Sequence, residues 1–108
     1  DLVVSMCESH EMPIGLWEGF LMRSVPVVDY DVPLGPEWAA VEAAALDLLH
    51  SGGRVLIHCK GGCGRSGMAV LRLMLRAGEA DALQRLRAVR PCAVETDEQL
   101  AWATGQVG

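Results

Sequence analysis

The sequence predicts a small α/β fold, a mostly parallel central sheet flanked by helices on both faces, and three observations carry that expectation. Apolar runs of strand length, at residues 2–6, 25–28 and 54–58, alternate with stretches of helical periodicity. Val55, Leu56 and Ile57 follow one another without a polar residue, as a central strand covered on both faces requires. Strands that alternate with helices form a sheet packed against those helices.

Each element has its own reason. Residues 2–6 form a short apolar run suited to a buried strand. Residues 7–24 mix Glu, His, Pro13, Gly15 and Gly19 with Trp17 and Phe20, which reads as a loop holding one helical turn. Residues 25–28 read as a short strand, ended by Asp29-Tyr30-Asp31-Val32-Pro33. Pro36 suits a helix start, and Trp38, Val41, Ala45, Leu46 and Leu49 recur at helical spacing through His50. Ser51-Gly52-Gly53 stops that helix. After residues 54–58, the stretch 66–76 is apolar on nearly every side except Arg72 and Arg76, the pattern of a largely buried helix. Gly78 ends it. Residues 79–90 form a further helix with Leu83, Leu86 and Val89 on one face, and its acids-first, arginines-last order suits the helix dipole. Pro91 breaks it, and residues 96–104 make a last short helix.

Composition narrows the function classes. At 108 residues, 51% hydrophobic and 21% charged, the chain reads as one folded domain over residues 1–108. No repeat, long linker or apolar run of membrane-span length interrupts it. The first residues lack the basic flank and apolar stretch of a secretion signal. The chain starts without Met and enters a strand-like run at once, as a domain trimmed at its N-terminus would. A net charge of −5 argues against nucleic-acid binding, which rests on basic surface. The single lysine is Lys60, so positive charge is focused rather than spread. Four cysteines, Cys7, Cys59, Cys63 and Cys92, would suffice for two disulfides, but with no sign of export the expectation is reduced thiols in a cytoplasm. Cys59 and Cys63 beside His58 lack a second ligand pair at metal-binding spacing, so neither metal nor cofactor is expected.

The segment that carries chemistry is His58-Cys59-Lys60-Gly61-Gly62-Cys63-Gly64-Arg65-Ser66-Gly67, between a strand and a buried helix. A strand-to-helix turn presents unpaired N–H groups at the helix N-terminus, a ready anion site. Gly61, Gly62 and Gly64 let the backbone curl with its amides inward, and the planar fork of Arg65 suits two phosphate oxygens. Cys59 opens the loop, where the same amides and the helix dipole favour a nucleophilic thiolate. A buried structural cysteine would need no glycine-rich loop ending in arginine. A cation at a helix start opposes the dipole unless an anion is bound there.

His-Cys, five residues, then Arg-Ser resembles the signature of the protein tyrosine phosphatase superfamily. Asp29-x-x-Val32-Pro33, about thirty residues before the cysteine, resembles the general-acid loop of its compact dual-specificity branch. Arg90-Pro91-Cys92-Ala93-Val94-Glu95-Thr96-x-x-Gln99 resembles the segment that follows in small phosphatases of that branch. The resemblance spans roughly residues 25–103 and implies a dual-specificity phosphatase-like fold with Cys59 as nucleophile, Arg65 and the loop 60–65 (Lys60, Gly61, Gly62, Cys63, Gly64) as phosphate binders, and Asp29 as the acid. It implies too that Ser66 hydrogen-bonds the cysteine sulfur and helps it leave; the plainer reading is a helix-start hydroxyl. Asp31 is the rival acid, and both carboxylates could merely initiate a turn. His58 orients the loop or is simply structural, and Lys60 is solvated or meets an acidic flank of the substrate. Thr96-Asp97-Glu98-Gln99 reads as a capping box, whereas the resemblance makes Gln99 the positioner of a hydrolytic water.

The expected activity is hydrolysis of phosphate monoesters through a phosphocysteine, on phosphotyrosine and phosphoserine or phosphothreonine in proteins. Two other classes stand beside it: a silent phosphate-binding module, against which Asp29 and Cys59 argue, and a rhodanese-type sulfurtransferase, which uses a shorter loop and no upstream acid. Cys63 and Cys92 are read as packing residues, and peroxide as pairing Cys59 reversibly with one of the other three cysteines.

Overall fold

The computed structural model describes residues 2–8, 21–60 and 63–105. Its sheet has three parallel strands in the order β2-β1-β3, with β1 (Leu2–Ser5) between β2 (Leu21–Ser24) and β3 (Val55–His58). Val4 stands opposite Arg23 on one side and Ile57 on the other. Every residue of β1 is buried. Because successive side chains point to opposite faces, the sheet is covered on both faces at its centre.

The centre is therefore β1, not the run at 54–58. Among the described residues β3 pairs with β1 alone, and Leu56 is 48% exposed. An unbroken apolar run is compatible with either position, because composition reports what can be covered and not how many strands lie alongside. The strand expected at 25–28 begins four residues earlier as β2, yet the pairing continues past it. The Val25 and Val27 amides still donate to the carbonyls of Ser5 and Met6, at 2.8 and 3.3 Å. Both valines are buried in the core. The expected loop and helical turn at 7–24 lie largely outside the described residues.

α1 (Glu37–His50) starts at Pro36 and carries the chain from β2 over to β3, burying Trp38, Val41 and Ala45. Its end is set at Gly52, whose φ of +83° a side chain would resist. α2 (Gly64–Arg76) is the most buried helix, with residues 64–69, Leu71 and Leu73 inside. α3 (Ala82–Val89) is shorter than the pattern suggested. Leu83 and Leu86 pack against the core, but Val89 is 84% exposed. α4 (Asp97–Thr104) is capped by Thr96 and returns against α2. Trp102 of α4 meets Trp38 of α1 edge to face at 5.1 Å, and Arg72 of α2 lies over the Trp102 ring. These contacts tie α1 and α4 to α2 at Arg72, about two turns beyond the start of the helix where the candidate site stands.

Candidate active site

β3 delivers His58 and Cys59 to the carboxyl end of the sheet, and α2 begins five residues further on at Gly64. Cys59 is half-buried, and its sulfur faces the first turn of α2. The Ser66 backbone N–H donates to Cys59 Sγ at 3.4 Å, and Ser66 Oγ lies 3.4 Å from the same sulfur. The Cys59 thiol donates to that hydroxyl, and the Ser66 amide together with the helix N-terminus favours a thiolate. Lys60 is exposed. Gly61 and Gly62 lie outside the described residues.

Arg65 occupies the first turn of α2, yet it is only 2% exposed. Its Nη1 donates to the Val27 carbonyl at 2.8 Å, and its Nε stands 3.7 Å from Asp29 Oδ1. The guanidinium thus draws the segment after β2 to the loop that follows β3. Asp29 and Asp31 differ sharply within that segment. Asp29 faces the guanidinium, whereas Asp31 Oδ1 accepts from the Val32 amide at 2.9 Å. Between them Tyr30 holds φ +64°, a strained value for a bulky residue. Its amide donates to Asp29 Oδ1 at 3.0 Å, and the Asp31 amide donates to the Val28 carbonyl at 2.9 Å.

Residues 90–99 brace the loop from the other side. Cys63 and Cys92 are joined in a disulfide with their Cα atoms 5.2 Å apart. The Gly64 amide donates to Glu95 Oε1 at 2.9 Å. Gln99 is fully buried and completes the capping box: its Oε1 accepts from the Glu95 and Thr96 amides, at 2.8 and 3.2 Å. Its Nε2 donates to the Asp31 carbonyl at 3.2 Å, so one side chain links the brace to the acid-bearing segment. Arg87 holds the brace in turn, donating to the carbonyls of Ala93 and Val94 at 2.9 Å each.

The disulfide corrects the reading of four reduced thiols. Cys63 and Cys92 are neither filler nor partners for Cys59, because each is bonded to the other; Cys7 and Cys59 remain as thiols. They pair because the α3–α4 connection lies directly on the loop, a proximity that 29 residues of separation conceal. Cys7 is buried with its Sγ 3.8 Å from His58 Nδ1. Burial pushes the His58 imidazole below its ordinary pKa, favouring the neutral ring.

The family model described as "Polymorphic toxin system, DSP-PTPase phosphatase" matches residues 2–79, from β1 to just beyond α2. The chain belongs to this family. Among solved structures this DSP-type phosphatase is similar to Tk-PTP in its active form, at 32% identity and a TM-score of 0.83, over 99% of this chain and 80% of that one. It is also similar to a variant of human DUSP28, at 26% identity and a TM-score of 0.75, over 98% and 76% of the two chains. No curated protein matches it.

In this DSP-type fold a sulfur held by the amide and hydroxyl of Ser66, a buried arginine and an exposed carboxylate meet where strand turns to helix. The arrangement suits an anion with an electrophilic centre above the sulfur. An apolar cleft of about 520 Å³ between α1, α2 and β3, lined by Leu49, Val55, Ile57 and Leu73, contains none of these groups. Charge chemistry, not cavity size, marks the site. Sequence reasoning missed Glu95, Arg87 and the Val27 carbonyl. Glu95 stood inside the quoted segment but had no distinguishing residue type, and a carbonyl leaves no trace in sequence.

Proposed function

We propose that the protein is a cysteine-dependent phosphatase that hydrolyses phosphate monoesters, on phosphotyrosine and phosphoserine or phosphothreonine in proteins. The observation that carries this reading is the meeting of the Ser66 amide and hydroxyl with Cys59 Sγ beside a buried Arg65. Cys59 thiolate attacks phosphorus and the ester P–O bond breaks, while Asp29 gives its proton to the departing oxygen. Water then attacks the phosphocysteine, Asp29 takes one water proton, and the sulfur leaves toward the Ser66 hydroxyl. The loop amides and Arg65 hold the three non-bridging oxygens throughout. Supporting this, Asp29 and not Asp31 faces the guanidinium.

His58 and Gln99 act as supports, His58 from the end of β3 and Gln99 by tying Asp31 to the brace. Residues 1–108 serve as the catalytic domain. We place its work in the cytoplasm, where phosphorylated proteins are met. Among the described residues no helix is long and apolar enough to cross a membrane. The description of its family, which names a polymorphic toxin system, supports a role for the phosphatase in such a system.

Hydrolysis of an aryl phosphate tests this, with thiosulfate as a control donor for sulfur transfer. Cys59→Ser should abolish turnover and retain binding of tungstate, because the amides and Arg65 remain. Wild-type-like turnover by Cys59→Ser would overturn the mechanism. Tungstate binding without any turnover by the wild-type protein would favour the silent module.

A further inference from the structure

The Cys63–Cys92 bond has a location that the reaction above does not use. It fastens the last stretch of the phosphate loop, one residue before α2 begins, to the connection between α3 and α4. The next residue, Gly64, donates its amide to Glu95 of the same connection at 2.9 Å. At Gly67 the two segments approach so closely that a Cβ would lie 2.8 Å from the Ala93 Cα and the Val94 nitrogen. The brace itself is held under strain, with Val94 at φ +65° and its carbonyl taken by Arg87. Of the ties between loop and brace, the disulfide is the one that chemistry can open.

Resting on the phosphatase reading, we propose that Cys63 and Cys92 are positioning residues of the reaction. Their bond sets the loop in its anion-binding shape, so that phosphate affinity follows the redox state of this pair. A loop that must aim several amides at one small anion binds in proportion to how completely it is already arranged. With the bond closed, Cys63 is anchored, and the first turn of α2 with Arg65 and Ser66 keeps its position. With the bond open, Cys63 loses its covalent tie to the brace, and the turn into α2 must be held by the anion itself. Neither sulfur is placed as a catalytic group; both act through the loop.

The chemical step is thiol–disulfide exchange with a dithiol. One thiolate of the dithiol attacks a sulfur of the pair and the Cys63–Cys92 bond breaks. The second thiol closes the reductant into its cyclic disulfide. Two electrons pass to the protein, and both cysteine sulfurs end as protonated thiols. The reverse step takes oxidised glutathione, which leaves as two equivalents of reduced glutathione. In a cytoplasm such a bond is a transient, sensing one, and oxidation would raise anion affinity there.

The experiment uses the full chain carrying Cys59→Ser, which removes the nucleophilic thiol and with it any direct effect of redox reagents on that sulfur. Tungstate binding is measured by calorimetry before and after dithiothreitol, with mass spectrometry counting free thiols. Reduction should weaken tungstate binding about tenfold, the scale of ordering a few loop residues on binding. A variant that adds Cys63→Ala and Cys92→Ala should bind like the reduced protein and ignore dithiothreitol. Melting temperature is followed in parallel, because a bond that only stabilises the fold would lower it and leave affinity unmoved. Equal affinity in the two redox states, with both thiols confirmed free after reduction, overturns the proposal. So does a protein prepared in air that shows no Cys63–Cys92 bond. If wild-type protein hydrolyses aryl phosphate while affinity ignores redox state, this inference alone fails; if no anion binds and no ester is cleaved, the phosphatase reading fails with it.

Discussion

Asp29 and Asp31 stand two residues apart with the same side chain, and the backbone between them decides what each can do. Tyr30, at φ +64°, turns the chain so that the two carboxylates do not share a partner. Each accepts from the amide of the next residue, Tyr30 or Val32, but Asp29 also meets Arg65 Nε at 3.7 Å. Asp29 is the exposed member of that pair, so its carboxylate is open to a leaving group while Arg65 is buried. Asp29→Asn should slow hydrolysis of an ester with a poor leaving group by about 10²–10⁴-fold, the usual range for a lost general acid. Asp31→Asn should cost far less, and the Asp29→Asn loss should shrink when the leaving group needs no proton. Steady-state rates on a series of aryl phosphates of graded leaving-group acidity give the answer; a larger loss from Asp31→Asn would move the acid by two residues. That Cys59, Arg65 and Ser66 stand together was legible in the sequence, because all three lie within one short strand-to-helix turn. The Cys63–Cys92 pair was not, because its partners meet only once two separate loops are folded.

At the scale of elements, the site depends on how closely the brace approaches α2, and Gly67 is the point of nearest passage. Its absent Cβ would strike backbone atoms of Ala93 and Val94, which cannot rotate aside as a side chain could. Gly67→Ala should therefore destabilise the fold by about 1–3 kcal/mol, the usual cost of forcing an extra methyl into a packed site. Ordinary helix propensity predicts the opposite sign, since alanine is the better helix former. Urea unfolding of the variant decides between them, and an unchanged or raised midpoint would show that the brace yields. Helix termini were legible where a cap signals them: Thr96 and Gln99 form the expected box, and Gly52 and Gly78 carry positive φ just past α1 and α2. Strand positions were less so. Parallel pairing with β1 displaced the expected strand at 25–28 toward residue 21, and the count of neighbours beside β3 is a tertiary fact that an apolar run does not encode.

Taken whole, this is an acidic protein of net charge −5 that keeps a buried arginine at its candidate site, so long-range charge opposes an anion while the local guanidinium favours one. The fold can hold that arrangement only while the end of β3 stays packed, and His58 is the titrating group at that end. Its imidazole lies 3.8 Å from the Cys7 sulfur, and Arg90 lines the same cavity beneath the loop. Burial lowers its pKa from the ordinary value of 6.5, so in the folded protein the proton is held less tightly than in the unfolded chain. Between the two values the unfolded state binds more protons, and stability rises with pH. The contribution is complete above the unfolded value, about 6.5, and is lost as pH falls through the folded one. Melting temperature in phosphate-free buffer, followed from about pH 5 to 7.5 where histidine titrates, should climb with pH in the wild-type protein. His58→Gln, which keeps a polar side chain of similar reach and cannot ionise, should flatten that climb. Parallel slopes in the two proteins would mean that His58 does not lose its proton on folding, and that acid weakens the fold elsewhere.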